Sequence, residues 1–234
     1  MVINRSARTF LSAFMLACIA YLNIGCATTH PNNSNDPLEK YNRVVYGFNT
    51  AIDKVIIRPI AKTYAFIVPG PIDQSIGNFF SNLSQITTVA NDVLQAEAGH
   101  AVKDTGRFAI NSTAGILGLF DIASKLGLEP HNEDFGLTLA KWGIKDSPYF
   151  VLPLLGPSTL RDAISLPIDY YAFSVWPYIK SSDTHYALYV LQAMHQRKVL
   201  LATDKLVDEA FDPYIFVRSA YLQKRAYLMH DQNH

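Results

Sequence analysis

Charge is scarce in this chain: Asp, Glu, Lys and Arg make up 17% of its 234 residues, against roughly 25% in ordinary soluble domains. Basic and acidic residues balance at 20 each, so the cationic excess expected of a nucleic-acid binder is missing. Cys18 and Cys26 are the only cysteines, too few for a disulfide framework. Nowhere is there an unbroken apolar run of about 20 residues, the length a membrane-spanning helix needs. Internal repeats and low-complexity linkers are also lacking. So are the signatures of catalysis. His30, His100, His131, His185, His195, His230 and His234 are scattered, with no HExxH or comparable ligand pair. His131-Asn132-Glu133-Asp134 reads as a polar loop leading into a helix cap rather than as a metal site. The run Gly156-Pro157-Ser158-Thr159-Leu160 lacks the closing glycine of a nucleophile elbow, and Ser158 reads as a helix cap. With no GxGxxG and no P-loop, no catalytic residue, metal ligand or cofactor is expected.

What is present begins at the N-terminus. MVINRSARTF carries two arginines and no acid, and LSAFMLACIAYLNIG is apolar over the length of a signal-peptide core. It closes on Gly25-Cys26, the form of a lipoprotein signal, although Asn23 stands where such signals usually carry an aliphatic residue. Cys18 is a rival site, but its use would leave IAYLNIG as an apolar tail. Cys26 is instead followed by the aperiodic ATTHPNNSND, suited to a tether. The expected division is a signal peptide over 1–25, an acylated Cys26 with a flexible tether over 26–35, and one helical domain over 36–230. A plain cleaved signal with an incidental cysteine is the alternative. Loss of Arg5 and Arg8 with the signal leaves 18 basic against 20 acidic residues, a charge of about −2.

A composition of 49% hydrophobic residues with 13 Tyr and 13 Phe leaves little charge to cover a surface. Either the core is large or part of the surface is covered by lipid or protein. The second is favoured, because Tyr and Trp suit places where one end is apolar and the other wet.

The periodicity is helical almost throughout, which predicts an all-α class. Asp36-Pro37-Leu38-Glu39 is a start signal, with Asp36 as cap and Pro37 at the first helical position. Apolar residues then recur at three and four from Leu38 to Ile56, until Arg58-Pro59 ends the run. A second helix, from about Asp73, carries an apolar stripe of Ile76, Phe80, Leu83 and Val93. Its opposite stripe is polar, with Asn78, Ser81, Asn82, Gln85, Asn91, Asp92 and Gln95. That stripe is nearly free of Lys and Glu, unlike a solvated face. It lines a confined wet passage, or it is an ordinary surface. Gly115, Gly118 and Gly127 punctuate an apolar turn or hairpin. A short helix opens at Asp134, and Pro148, Pro153 and Pro157 then make an irregular stretch. Pro167 and Pro177 break the next segment. A long helix runs over 182–211, and Asp212-Pro213 starts the last.

The blocks DPLEKYNRVVYGFN, RPIAKTYAFIVPGP, NFFSNL, RFAINSTAGILGLFD, EDFGLTLAKWGIKDSPYFVLPLLGPSTLRD and FDPYIFVRSAYLQKR together resemble the VacJ/MlaA outer-membrane lipoproteins of Gram-negative bacteria, in the family's order over residues 36–225. The resemblance implies a ring or doughnut of amphipathic helices in the inner leaflet of the outer membrane. Its central amphipathic passage would let misplaced phospholipids leave the outer leaflet. It further implies trimeric porins and a soluble periplasmic lipid carrier as partners. Within it, Cys26 is the expected lipidation site and Ala27 is compatible with sorting to the outer membrane. Gly115, Gly118 and Gly127 are the expected hinge of a mobile hairpin at the passage. Gly47, Phe48, Asn78, Asn82 and Gln85 are candidates for passage lining or close packing. Two departures stand out: Asn23, and an end soon after the last helix without the long acidic tail of some relatives. The alternative is a structural, porin-associated lipoprotein that moves no lipid.

Overall fold

The computed structural model describes residues 36–231. The expected signal, Cys26 and the tether lie outside them.

The chain is predominantly helical. Helix α1 spans Glu39–Ile52, a π turn follows at Asp53–Ile57, and α2 spans Arg58–Ile67. The start lies two residues later than Asp36-Pro37 suggests: Leu38 holds the cap position and supplies no side-chain cap bond. Nor does Pro59 end the run. It lacks the N–H of a normal helical bond, and its ring crowds the carbonyl four residues back. The wider π turn absorbs this, with the Arg58 N–H bonded to the Asp53 carbonyl five residues earlier.

Helix α3 (Gly70–Leu94) and α4 (Ala98–Thr113) make the most extensive helix–helix contact. A turn at 114–120 leads to the short α5 (Ile122–Lys125), capped by Asp121. Helix α6 (Phe135–Lys141) opens on Asp134, whose carboxylate accepts from the Leu137 N–H, as the sequence reading expects. Past it the helical chain also carries one short β-hairpin. Residues Tyr149–Leu152 (β1) and Gly156–Thr159 (β2) form an antiparallel hairpin, with Tyr149 opposite Thr159 and Leu152 opposite Gly156. Pro153 sits in its turn, and Pro157 lies on β2, beyond which the two-stranded sheet has no neighbour among the described residues. Helix α7 (Leu160–Phe173) begins at Thr159, not Ser158, and carries Pro167 in its interior. Pro177 lies in a single 3₁₀ turn before α8 (Ser182–Leu200). The expected long helix stops there. A 3₁₀ turn and the five-residue α9 (Asp204–Asp208) follow, then α10 (Pro213–Asp231).

Two side chains of α1 seal the open edge of β1. The Asn42 amide donates to the Tyr149 carbonyl at 3.0 Å, and its oxygen accepts from the Val151 N–H at 2.9 Å. Asn49, seven residues and two turns on, does the same for the Leu152 carbonyl (2.9 Å) and the Leu154 N–H (2.8 Å). Beneath this seam lies a small apolar core of Tyr149, Val151 and Tyr214. Asn42→Ala would leave two buried backbone groups of β1 unpaired, so a loss of about 2–3 kcal/mol in unfolding free energy is expected. Denaturant titration of the purified protein checks it.

Burial is inverted elsewhere. Among the described residues, buried polar and charged side chains outnumber buried apolar ones by more than two to one. Large apolar residues stand outside instead, Val44, Val55, Phe66 and Val93 among them. An aqueous globular domain sorts them the other way.

Candidate functional site

The polar stripe of α3 is where this inversion is sharpest. Asn82, Gln85, Thr88, Asn91, Asp92 and Gln95 are all buried, which disposes of an ordinary solvated face. Their spacing of three and four residues puts them on one side of the helix, and α4 answers with Asp104, Arg107 and Asn111 at the same spacing, buried as well.

Three of the residues singled out from sequence meet here. Asn78, Asn82 and Gln85 line one recess with Ser81, Arg107, Asn111 and Asp121. Asn78 donates to the Leu119 carbonyl (3.2 Å), Asn82 to Ser112 Oγ (2.9 Å) and Gln85 to the His131 carbonyl (3.2 Å). Arg107 reaches Ser124 Oγ at 3.1 Å, the Leu128 carbonyl, and both Asp121 oxygens at 3.4 Å. Burial pushes the Asp121 carboxyl up, but bonds from Ser124 and Asn111 and the Arg107 charge hold it below the usual range. Asn82 Oδ1, Gln85 Oε1 and Arg107 Nε find no partner among the described residues. The recess, ≈ 10 Å³, has room for about one water, which three such atoms would bind well. It is a hydratable seam, too small for a lipid headgroup.

The three glycines do not form one device. Gly115 and Gly118 belong to the 114–120 turn, where the Gly118 N–H bonds the Asn111 carbonyl (2.7 Å) and the Phe120 N–H bonds that of Gly115 (2.9 Å). A Cβ on Gly118 would lie 2.5 Å from that of Asn82, so this turn presses directly on the α3 stripe. Ile116 and Leu117 at its tip have φ of 52° and 57° and point their apolar side chains outward. Gly127 lies beyond α5 with φ +84° and open space where a Cβ would be. Gly47 and Phe48 stand apart from the seam. The close packing expected of Gly47 is corrected, since a Cβ there meets nothing within 4 Å, and Phe48 is exposed. Cys26 lies outside the described residues.

Sequence reading missed the α4 half of the seam. The signal was there, in Asp104, Arg107 and Asn111 recurring at three and four, but nothing local says that two polar faces will meet.

A continuation of the stripe surrounds His131. Asp104 and Glu133 hold its imidazolium, raising its pKa to about 10. Burial, reinforced by the Asp104 charge, pushes Asp92 well above the usual carboxylate range.

Among the described residues no single helix is long and apolar enough to cross a membrane. The run Glu39–Ile67 and α3 pass that test only as a pair, bent by 118°.

A family model described as MlaA lipoprotein matches residues 34–228. The intermembrane phospholipid transport system lipoprotein MlaA of Escherichia coli is 33% identical over 225 residues, covering 91% of this chain and 86% of the relative. That of Haemophilus influenzae is 32% identical, covering 96% and 91%. An uncharacterized protein of Rickettsia typhi is 37% identical over 191 residues, covering 81% and 76%. A solved structure reported as the structural basis for maintenance of bacterial outer membrane lipid asymmetry superposes with a TM-score of 0.72 at 32% identity, covering 83% of this chain and 98% of the other. The chain belongs to the MlaA lipoprotein family.

Proposed function

We propose that this protein removes mislocalised phospholipids from the outer leaflet of the outer membrane and passes them on for retrograde transport, so keeping the membrane asymmetric. The observation that carries the reading is the inverted burial: apolar residues outside, polar ones within. Acyl chains satisfy the exterior of such a molecule, and helices too short or too bent to span the bilayer fit one leaflet. The polar seam, too narrow for a headgroup as it stands, becomes a hydrated route when the 114–120 turn moves off the α3 stripe, and such a route spares the headgroup the several kcal/mol of crossing hydrocarbon unsolvated. The family relatives named for intermembrane phospholipid transport support the same reading.

On this reading Cys26 is acylated and anchors the chain from the periplasmic side. The turn at 114–120, with Gly115 and Gly118, gates the route. Trimeric porins and a soluble periplasmic lipid carrier are the partners, and no bond is made or broken.

The test is the outer-leaflet phospholipid content of a deletion strain, read with a probe confined to that leaflet. A rise that wild type reverses and Cys26→Ala reverses poorly is the expected result. No rise on deletion would favour a structural lipoprotein that moves no lipid.

A further inference from the structure

We propose that His100, Asp104 and His131, together with Asp92, bind one divalent transition-metal ion of the zinc class. The ion would staple α3 and α4 to the 127–134 loop.

One donor atom each from His100, Asp104 and His131 lies within 4.8 Å of the others. His131 Nδ1 stands 2.9 Å from Asp104 Oδ2 and 3.7 Å from Asp92 Oδ1. Two ligands on one tetrahedral zinc ion, each at about 2.0–2.1 Å, are about 3.3 Å apart, midway between those separations. A metal taking the position of the proton between His131 and Asp104 would need only small shifts.

The carboxylates are already desolvated. The Asp92 and Asp104 side chains are 1% and 0% exposed, and Asp92 Oδ2 and Asp104 Oδ1 are buried without a hydrogen-bond partner. Packing two such groups together is costly unless a cation compensates them; the His131 imidazolium does so with one charge, and a divalent ion in place of its proton would supply two.

The other face of His131 is built as metal-bound histidines usually are. Its Nε2 stands 3.3 Å from Glu133 Oε1, and Gln95 holds the second Glu133 oxygen at 2.7 Å. That carboxylate fixes the ring and leaves Nδ1 for the ion. His100 completes the set, its ring edge-on to His131 with centroids 4.5 Å apart. Two imidazoles among the ligands favour zinc and its neighbours over calcium or magnesium, which take oxygen. The site is independent of the lipid-transport reading.

The test uses the purified full-length chain in detergent, stripped with a chelator and titrated with Zn²⁺ alone. One equivalent bound per chain, with a Zn²⁺-dependent rise in Tm, is expected. His100→Ala removes a half-buried side chain and should keep its helical circular dichroism while binding at least tenfold more weakly. Asp104→Asn should bind more weakly still. If Asp104→Asn fails to fold, His100→Ala decides alone. Substoichiometric binding by wild type, or equal binding by His100→Ala, overturns the site: the first leaves His131 alone as the partner of the carboxylates, the second places the ion on surface histidines.

Discussion

Arg225→Ala is expected to cost about 3 kcal/mol, the lower end of the range for breaking a buried ion pair. The Arg225 side chain is 9% exposed and forks between two carboxylates, Asp134 (2.5 and 3.0 Å) and Asp162 (2.8 Å). It thereby pins α10 to the cap of α6 and to the first turn of α7. There is no slack at the junction, because a Cβ on Gly136 would lie 2.4 Å from Asp162 Oδ1. The loss stays at the lower end because Asp162 keeps Arg161 (3.0 Å) and the Tyr221 hydroxyl (2.7 Å), and Asp134 is partly exposed. Arg225→Lys should recover only part, since a single ammonium nitrogen cannot reproduce the bidentate pairing with Asp134 while also reaching Asp162. Burial pushes the Asp162 carboxyl up, but Arg225, Tyr221 and Arg161 outweigh it and hold it below its ordinary value. Its contribution is therefore present above the ordinary carboxylate pKa and lost as pH falls through the lowered one. Wild type and variant should converge in acid. Thermal unfolding across pH, in detergent, checks both effects.

Gly115→Ala is expected to be about as damaging, and for a different reason. A Cβ there would stand 2.2 Å from the Phe120 carbonyl oxygen and 2.5 Å from that of Asn111. Both are backbone atoms, so the turn itself must move. The bonds from Phe120 N–H to the Gly115 carbonyl and from Gly118 N–H to the Asn111 carbonyl would open with it. Overpacking of this kind costs about 3 kcal/mol, and the turn should leave the α3 stripe. Gly127→Ala is the contrast: its positive φ alone should cost about 1–2 kcal/mol, with no clash. Gly47→Ala, in open space on α1, should be neutral or gain about 0.5–1 kcal/mol. Unfolding curves rank the three. If the turn gates the lipid route, Gly115→Ala should also fail in the outer-leaflet assay, whereas Gly127→Ala should restore asymmetry. Equal behaviour of the two variants in that assay would rule out gating by the turn.

Much of the architecture was legible because amphipathic spacing is a local property. The stripes of α3, the caps at Asp134 and Asp212, and the order of the family blocks can all be read along the chain. Prolines misled because their penalty is local while its relief is not. Pro59 is absorbed by a π turn and Pro167 by a helix that persists around it. The hairpin escaped notice because its strands are four residues each, with Pro157 inside β2 and Pro148 and Pro153 flanking β1, and α1 seals its edge from far along the sequence. At the candidate site, Asn78, Asn82 and Gln85 could be picked out by a polar face without lysine. Arg107 and Asp121 could not, since their role appears only when α4 and α5 close on that face. His100, Asp104 and His131 form no motif, and only folding brings them together.

The asparagine seam of α1 bears on the order of events during biogenesis. Asn42 and its hairpin partners Tyr149 and Val151 are separated by 107 and 109 positions. A chain made from its N-terminus therefore emerges with α1 long before the backbone that occupies these amides exists. So distant a closure is slow, and in the interval α1 carries exposed apolar residues with nothing to cover them. The clasp at Asn42 and Asn49 can lock only once the backbone of residues 149–154 is present.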